Sequence, residues 1–470
     1  MLFSSLSFLF FFLPLALSGY FLLRTRDSRN LFLLIVSLLF YAWGEPWFVF
    51  VMILSIAANW GFGMWVAYIK EREATMWPVL FICCTANLSL LFVYKYLNFL
   101  VANLEHLFGI TANIPGLKLP IGISFFTFQA ISYLVDVARG DSEVQRNPLL
   151  VGLYIAFFPQ LVAGPIIRYR TIAAAFAKRQ ESFQDFTIGI ERFVIGLCKK
   201  VLIANTLAIV ADRAFAMRPE WLSASYAWLG ALAYSLQIYF DFSGYSDMAL
   251  GLGRIFGFHF EENFNLPYMS ASISEFWRRW HISLGTWFRD YVYFPLGGSR
   301  VETSRRLVFN LAVVWLLTGL WHGAEWTFIL WGLYFLVFLI IEKLSGMDTT
   351  SQLGWQLPRR LYTLTVVICG WVLFRANDLT HALSYFRSML GLNSIAHVDP
   401  LAILYLRENA VILVVALLLC GPVGKFISQQ VTRYKRLTLL LQPVSLVLLF
   451  LMAVSCIVKN TYNPFIYFNF

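Results

Sequence analysis

The sequence predicts an all-α polytopic membrane protein, and three observations carry that prediction. The 470 residues are 59% hydrophobic and only 13% charged, against roughly 45–50% apolar and about 25% charged in soluble globular chains. Aromatic residues make up 18%, which suits rings anchored at a lipid–water boundary. Apolar runs of near-spanning length follow one another along the whole chain with no convincing internal repeat, and no appended soluble domain is expected.

Taken in order, the runs lie at about 6–23, 30–43, 47–69, 77–95, 121–138, 148–164, 187–211, 224–256, 307–320, 323–342, 361–377, 409–424 and 437–458. A helical span needs about 20 apolar residues, so some of these must be broken, re-entrant or surface-lying, and about 10–12 true spans are expected. The first run lacks a positive leader, and RTRDSR follows it instead of preceding it, so it reads as a retained transmembrane helix. One membrane domain over 1–470 is expected.

Net charge is +10, dispersed among loops with no basic tail, which gives no support to nucleic-acid binding. Cytoplasmic loops rich in Lys and Arg produce such a balance by topology alone. Arg24, Arg26 and Arg29 follow the first run, Lys70 and Arg72 the third, and Arg139 and Arg146 the 121–138 run. The turn at Gly44–Pro46 carries no basic residue, and Arg433, Lys435 and Arg436 precede the last run. Both termini are therefore expected outside the cytoplasm. Six cysteines show no CxxC or His/Cys spacing, so neither a disulfide framework nor a metal site is expected.

The longest polar stretch, 258–306, contains SISEFWRRWHISLGTWFRDYVYFPLGG. Ser272 followed by Glu275 fits a capping box. Trp277, Trp280, Leu284, Trp287 and Tyr291 recur at helical spacing on one face, with Arg278, Arg279 and Arg289 elsewhere. One helix over 272–296, lying at the cytoplasmic interface and ended by Gly297–Gly298, is expected. His281 within it faces a ligand's anionic part or serves as a snorkelling or capping residue.

Residues 307–343 read as a hairpin. Arg305, Arg306 and Lys343 mark one side, and Leu307 to Leu320 is about 21 Å of helix. The apex near Gly319–Gly323, with the motif Trp321-His322-Gly323, thus lies deep in a bilayer core of about 30 Å. A titratable side chain there needs a partner or a function: His322 is either a chemical centre or a structural hydrogen-bonding group. His106, His259, His381 and His397 sit in loops or near helix ends and are assigned no chemistry.

YFDFSGYSDMALGLG, Tyr239–Gly253, places Asp241 and Asp247 in an apolar helical run. Buried acids need partners; the interfacial arginines are available, and an Asp–Arg clamp is the alternative to catalysis. Ser243–Gly244 permits a kink or a close approach. FFPQLVAGPIIRY breaks at Gly164–Pro165, and broken backbone at membrane depth survives only under a cover of protein or water, which suggests a lined cavity.

FWRRWHISLGTWFRDYVYFPLGG followed by GLWHGAEWTFILWG resembles the membrane-bound O-acyltransferase family. PIGISFFTFQAISYLVDVARGD, LVAGPIIR and QIYFDFSGYSDMALGLG extend the resemblance, over essentially the whole chain, to the bacterial branch that includes the alginate O-acetylation membrane proteins. It implies a ring of transmembrane helices around a thinned centre, with re-entrant and interfacial helices. The family's near-invariant histidine falls on His322 and its second polar position on His281. Trp321, Gly323, Trp277, Trp280, Asp241, Ser243, Asp247 and Asp290 belong to the matching motifs. The branch implies transfer of an acetyl group from a cytoplasmic donor, acetyl-CoA by expectation, to an extracytoplasmic acceptor, with no bound cofactor or metal. A periplasmic acetyltransferase partner, polysaccharide synthesis and export machinery, and the bacterial inner membrane are implied with it. The polymers acetylated by related members include alginate, cellulose and peptidoglycan.

The residues suit such chemistry. Transfer to a hydroxyl needs a base or nucleophile and donors for an oxyanion. Arg278, Arg279 and Arg289 would hold a phosphate-bearing donor, though they also satisfy the positive-inside rule. A transporter, for instance a flippase of lipid-linked precursors, and a scaffold without chemistry are the rival classes. A continuous cavity past His322, with His281 along its cytoplasmic half, is expected of the enzyme.

Overall fold

The computed structural model describes the chain except residues 110, 112–115, 348–355, 394–397, 425, 427–434, 460–461, 465 and 467–470, and the side chains of 435–440. Arg433, the side chains of Lys435 and Arg436, and His397 therefore lie outside the described residues. No strand occurs among those described. Every apolar run forms a helix, because a backbone in hydrocarbon must satisfy its hydrogen bonds within its own segment.

Among the described residues, six helices are long and apolar enough to cross a membrane: Phe48–Glu71, Trp77–Phe108, Phe183–Ala216, Trp326–Ser345, Gln356–Arg375 and Leu441–Lys459. The pair Pro400–Glu408 and Ala410–Cys420, bent by 68°, makes a seventh if counted as one span. The chain is a multi-pass membrane protein. The remaining runs are helices that are shorter or carry polar side chains, such as Phe8–Leu22, Ala224–Ile255 and Ser304–His322. Side chains such as Phe10, Phe50, Phe81 and Val411 are more than half exposed, as expected of surfaces that face lipid.

The described chain forms two compact units. The first comprises Met1–Phe193 and Ser246–Glu261. Its core includes a cluster of rings from Phe3, Phe8, Phe12, Phe40 and Phe158, which builds the N-terminal helical segment into the fold. Arg179, fully buried, donates to Asn30 at 2.6 Å and to the Phe256 carbonyl at 3.0 Å. Glu181 accepts from Arg26 and Arg29 beside it. The run 148–164 is broken at Phe157 between Pro148–Ala156 and Phe158–Leu161. Helix also stops at Leu161, just before the break expected at Gly164–Pro165, and residues 151–167 are buried throughout, so protein covers both breaks.

The second unit comprises Val194–Tyr245 and Glu262–Phe470. The hairpin is present, as Ser304–His322 and Trp326–Ser345. Its helices pack backbone to backbone: a Cβ on Gly319 would lie 2.5 Å from the Phe328 carbonyl oxygen, and one on Gly332 would strike the Trp315 carbonyl. Small residues permit this approach in membrane helices. Gly244 does the same for Ala224–Ile255, where a Cβ would lie 2.7 Å from the Gly196 carbonyl oxygen. That helix runs unbroken, so Ser243–Gly244 marks a close approach and not a break.

The interfacial stretch departs most from expectation. It is not one helix but Ile273–Arg279, Ile282–Phe288 and a π-turn Arg289–Tyr293. His281 stands at the break in the left-handed region, φ 47° and ψ 51°. The cause is tertiary: Asn265 N–H bonds the Arg279 carbonyl and Ile282 N–H bonds the Asn263 carbonyl, pinning the chain on both sides of the break. A non-glycine residue held there costs roughly 1 kcal/mol or more and persists only where its surroundings over-determine it.

Candidate acyl-transfer site

The helix Ile273–Arg279 is fixed at its start by three groups. Ser272 Oγ accepts from Glu275 N–H at 3.0 Å, as the capping box requires. Glu275 returns the bond to Ala271 N–H at 2.8 Å, one residue earlier than expected. Glu342 on the hairpin, fully buried, accepts from Ile273 N–H at 2.5 Å and Ser274 N–H at 2.8 Å. A carboxylate at a helix N-terminus meets orphan donors and the positive end of the dipole. The hairpin therefore positions the interfacial helix directly. A cavity of about 160 Å³ lies at this cap, lined in part by Ser272, Glu342 and Arg359.

From there the chain carries Trp277 and Trp280 into an aromatic core. Trp277 meets Trp315, Trp331 and Phe335 with centroids 4.9–5.4 Å apart. Trp280 lies 4.9 Å from Trp371 and 5.1 Å from Phe264. These rings explain the Trp spacing in the sequence better than a membrane-surface stripe does: the aromatic face is turned into protein.

His322 is the last residue of Ser304–His322 and is 7% exposed. Three rings meet it edge to face: Trp321 at 4.8 Å, Trp331 at 4.9 Å and Phe374 at 5.1 Å. Gly323 is extended, with φ −170°, and its role is space, since a Cβ would run into the Phe328 ring. The Nε1–H groups of Trp277 and Trp331 are buried and have no hydrogen-bond partner among the described residues.

His281 is 2% exposed. Its ring meets Phe242 at 4.6 Å and Trp321 at 5.7 Å. Trp321 thus touches both histidines, and the hairpin brings the two sequence-flagged imidazoles to one indole. The His281 Nδ1 lies 3.2 Å from Asn263 Oδ1. Its Nε2 is buried with no hydrogen-bond partner among the described residues. The residue lies outside the spans, and burial lowers its pKa to about 3, so the ring is neutral near pH 7.

Other flagged residues fall elsewhere. Asp241, 2% exposed, pairs with Lys200 at 2.7 Å and accepts from Ile466 N–H at 3.0 Å. Asp247, in the first unit, pairs with Arg192 at 3.0 Å. Both partners lie on Phe183–Ala216, not on the interfacial helix, so the clamps are Asp–Lys and Asp–Arg pairs between long helices. What YFDFSGYSD gives the site is aromatic: Phe242 on His281 and Tyr239 on Trp280 at 6.0 Å. Ser243 Oγ is buried without a hydrogen-bond partner among the described residues. Asp290 is buried, 3.5 Å from Arg289. Arg278 and Arg289 are exposed, and Arg279 is tied to Glu275 at 2.6 Å.

Sequence reasoning missed Asn263, Ser283, Lys200 and Glu342. Glu342 left a trace, as a single acid in LVFLIIEKL. Asn263 left none, being one polar residue in a polar loop. His259 pairs with Asp185 at 3.2 Å in the first unit. The backbone N–H of His381 bonds its own N-cap, Asp378, at 2.7 Å.

Two buried imidazoles thus meet one indole within an aromatic cluster, in a chain whose long apolar helices define the class of multi-pass membrane proteins. Comparison with known proteins makes this specific. The model of the membrane-bound O-acyltransferase family matches residues 147–384. The chain belongs to that family and is an O-acyltransferase, which answers the transporter alternative left open by composition. It is 44% identical over 397 residues to a Pseudomonas putida protein named Probable alginate O-acetylase AlgI, covering 83% of this chain and 80% of that one. A Helicobacter pylori peptidoglycan O-acetyltransferase is 35% identical over 432 residues, covering 84% and 81%. A Bacillus subtilis teichoic acid D-alanyltransferase is 34% identical over 232 residues, covering 47% and 58%.

Proposed function

We propose that this chain passes an acetyl group from a cytoplasmic thioester donor, acetyl-CoA, across the bacterial inner membrane for O-acetylation of an exported polysaccharide of the alginate or cellulose type. The acceptor is the polymer or a periplasmic acetyltransferase partner that acts with the synthesis and export machinery. The whole chain serves as one catalytic membrane domain with its N-terminus in the periplasm. The observation that carries the reading is the pair His281 and His322 packed on Trp321, together with the alginate O-acetylase likeness.

In this reading His322 takes the proton of the acceptor hydroxyl as its oxygen attacks the thioester carbonyl. The new C–O bond forms, the C–S bond breaks, and the imidazolium returns the proton to the leaving thiolate. The indole N–H groups of Trp331 and Trp277 donate to the oxyanion between these steps. His281 Nε2, carrying a lone pair, accepts from an amide N–H of the donor's arm and holds the thioester against His322. Arg278, Arg279 and Arg289 keep the donor's phosphates at the cytoplasmic mouth. The surrounding rings exclude water and limit hydrolysis. A passage must open beside His322 for both substrates.

The test is acetyl transfer by purified protein in liposomes. His322→Ala and His281→Gln are expected to fold, judged by monodispersity and thermal melting, and to lose transfer. Near wild-type transfer by folded His322→Ala would overturn the reading.

A further inference from the structure

We infer that Asn263 is a positioning residue that locks His281 in the Nδ1–H tautomer, leaving the lone pair on Nε2 for substrate. The inference deepens the proposed function and rests on it for the role of His281. The tautomer itself follows from hydrogen-bond geometry together with burial of the ring.

The Asn263 amide turns its oxygen to the ring. Its Oδ1 accepts from the backbone N–H of Ser283 at 3.1 Å. A backbone N–H can only donate, so the atom at that place is the oxygen and not the amide nitrogen. The same oxygen accepts from Ser283 Oγ at 2.9 Å. His281 Nδ1 lies 3.2 Å from that oxygen. A lone pair facing a carbonyl oxygen would be repelled, whereas an N–H donates to it. Nδ1 therefore carries the proton. Burial keeps the ring neutral, its pKa lowered to about 3, so Nε2 has none.

Both residues are held rigidly. Asn263 is held by its own backbone, whose carbonyl accepts from Ile282 N–H at 3.0 Å. His281 is held in its left-handed conformation between bonds to residues 263 and 265. The ring is flanked by Phe242 and Trp321. The contacting side chains, Phe242, Asn263, Ser283 and Trp321, carry no charge. With rotation blocked and Nδ1 committed, the Nε2 lone pair points away from Asn263. It is buried and without a hydrogen-bond partner among the described residues. Leaving an acceptor unmet in a protein interior is unfavourable unless another molecule completes it. Orienting partners of this kind change activity by about 10- to 100-fold at metal-bound imidazoles, and a similar loss is expected here.

Two measurements test the inference on the full-length protein in nanodiscs. The first is ¹⁵N NMR of histidine-labelled protein, with His281→Gln assigning the signals. The expected result is a pyrrole-type Nδ1 and a pyridine-type Nε2 at His281 near pH 7, with the tautomers mixed in Asn263→Ala. A protonated Nε2 in the wild type would overturn the inference. The second is the pH profile of acetyl transfer. Asn263→Asp keeps the acceptor oxygens but adds a negative charge that favours imidazolium. The acid limb of its profile is expected to move to higher pH by a unit or more, while Asn263→Ala lowers transfer about 10- to 100-fold. If His281→Gln is inactive but Asn263→Asp keeps the wild-type profile, Asn263 is only structural. If His281→Gln is fully active while the NMR result holds, the proposed role of His281 fails and the tautomer lock stands.

Discussion

The two buried histidines differ in backbone setting and in the neighbours described around them. His281 sits on a strained backbone between short helices and is gripped by hydrogen bonds to Asn263. His322 ends a long helix and is packed by three aromatic rings. Hydrogen bonds fix one nitrogen of a ring and so choose a tautomer. Edge-to-face rings restrict the plane in which a ring lies. In the proposed function the two settings divide the roles: the ring whose proton moves ends a long helix among three aromatic rings, and the ring whose lone pair stays is tied to Asn263.

The sharpest way to break that comparison is to remove each ring. His322→Ala is expected to lower transfer about 10²- to 10⁴-fold, the span of general-base contributions, measured with labelled acetyl donor in liposomes. Replacing Trp331 with Phe keeps the ring and removes one N–H. A loss of about 10²-fold in kcat, the lower end for an oxyanion donor, would mark Trp331 as part of the chemistry, and unchanged kcat would leave it as packing. The smallest activity effect is expected at the mouth. Arg278→Gln with Arg289→Gln should raise the KM for donor a few-fold and leave kcat unaltered, since both side chains are exposed.

Stability sharpens the same contrast. The ordinary pKa of a histidine, 6.5, falls to about 3 at His281 on burial. The unfolded chain thus binds the proton more readily, so this contribution to stability is intact above pH 6.5 and lost as pH falls towards 3. Melting of the wild type should drop between pH 6.5 and 4.5, and His281→Gln should flatten that slope. Away from the site, Lys200→Met leaves Asp241 buried and unpaired and is expected to cost about 3–5 kcal/mol. The double variant with Asp241→Asn should recover most of it, as judged by thermal melting.

Much of the fold was legible because its cause is local. Each apolar run gave a helix, the hairpin was readable from 307–343, and the Trp-His-Gly apex marked a histidine that the fold buries among aromatic rings. What escaped depends on residues far apart in sequence. The break at Trp280–His281 is imposed by bonds from 263 and 265, and helical periodicity ran through it unmarked. Asp241 and Asp247 promised salt bridges, but which base would reach each depended on how the long helices pack. Asn263 offered no periodicity, charge or motif, only an amide whose meaning appears when His281 folds onto it.

The central claim is that an acyl group crosses at His322 between opposite faces of the membrane. The most direct test uses liposomes with the protein in one orientation, labelled acetyl donor on one side and acceptor polysaccharide or partner transferase on the other. Transfer is expected only when the donor bathes the face bearing Arg278 and the acceptor the opposite face, with His322→Ala at background. Equal transfer with donor and acceptor on the same side, or with the orientation reversed, would contradict it.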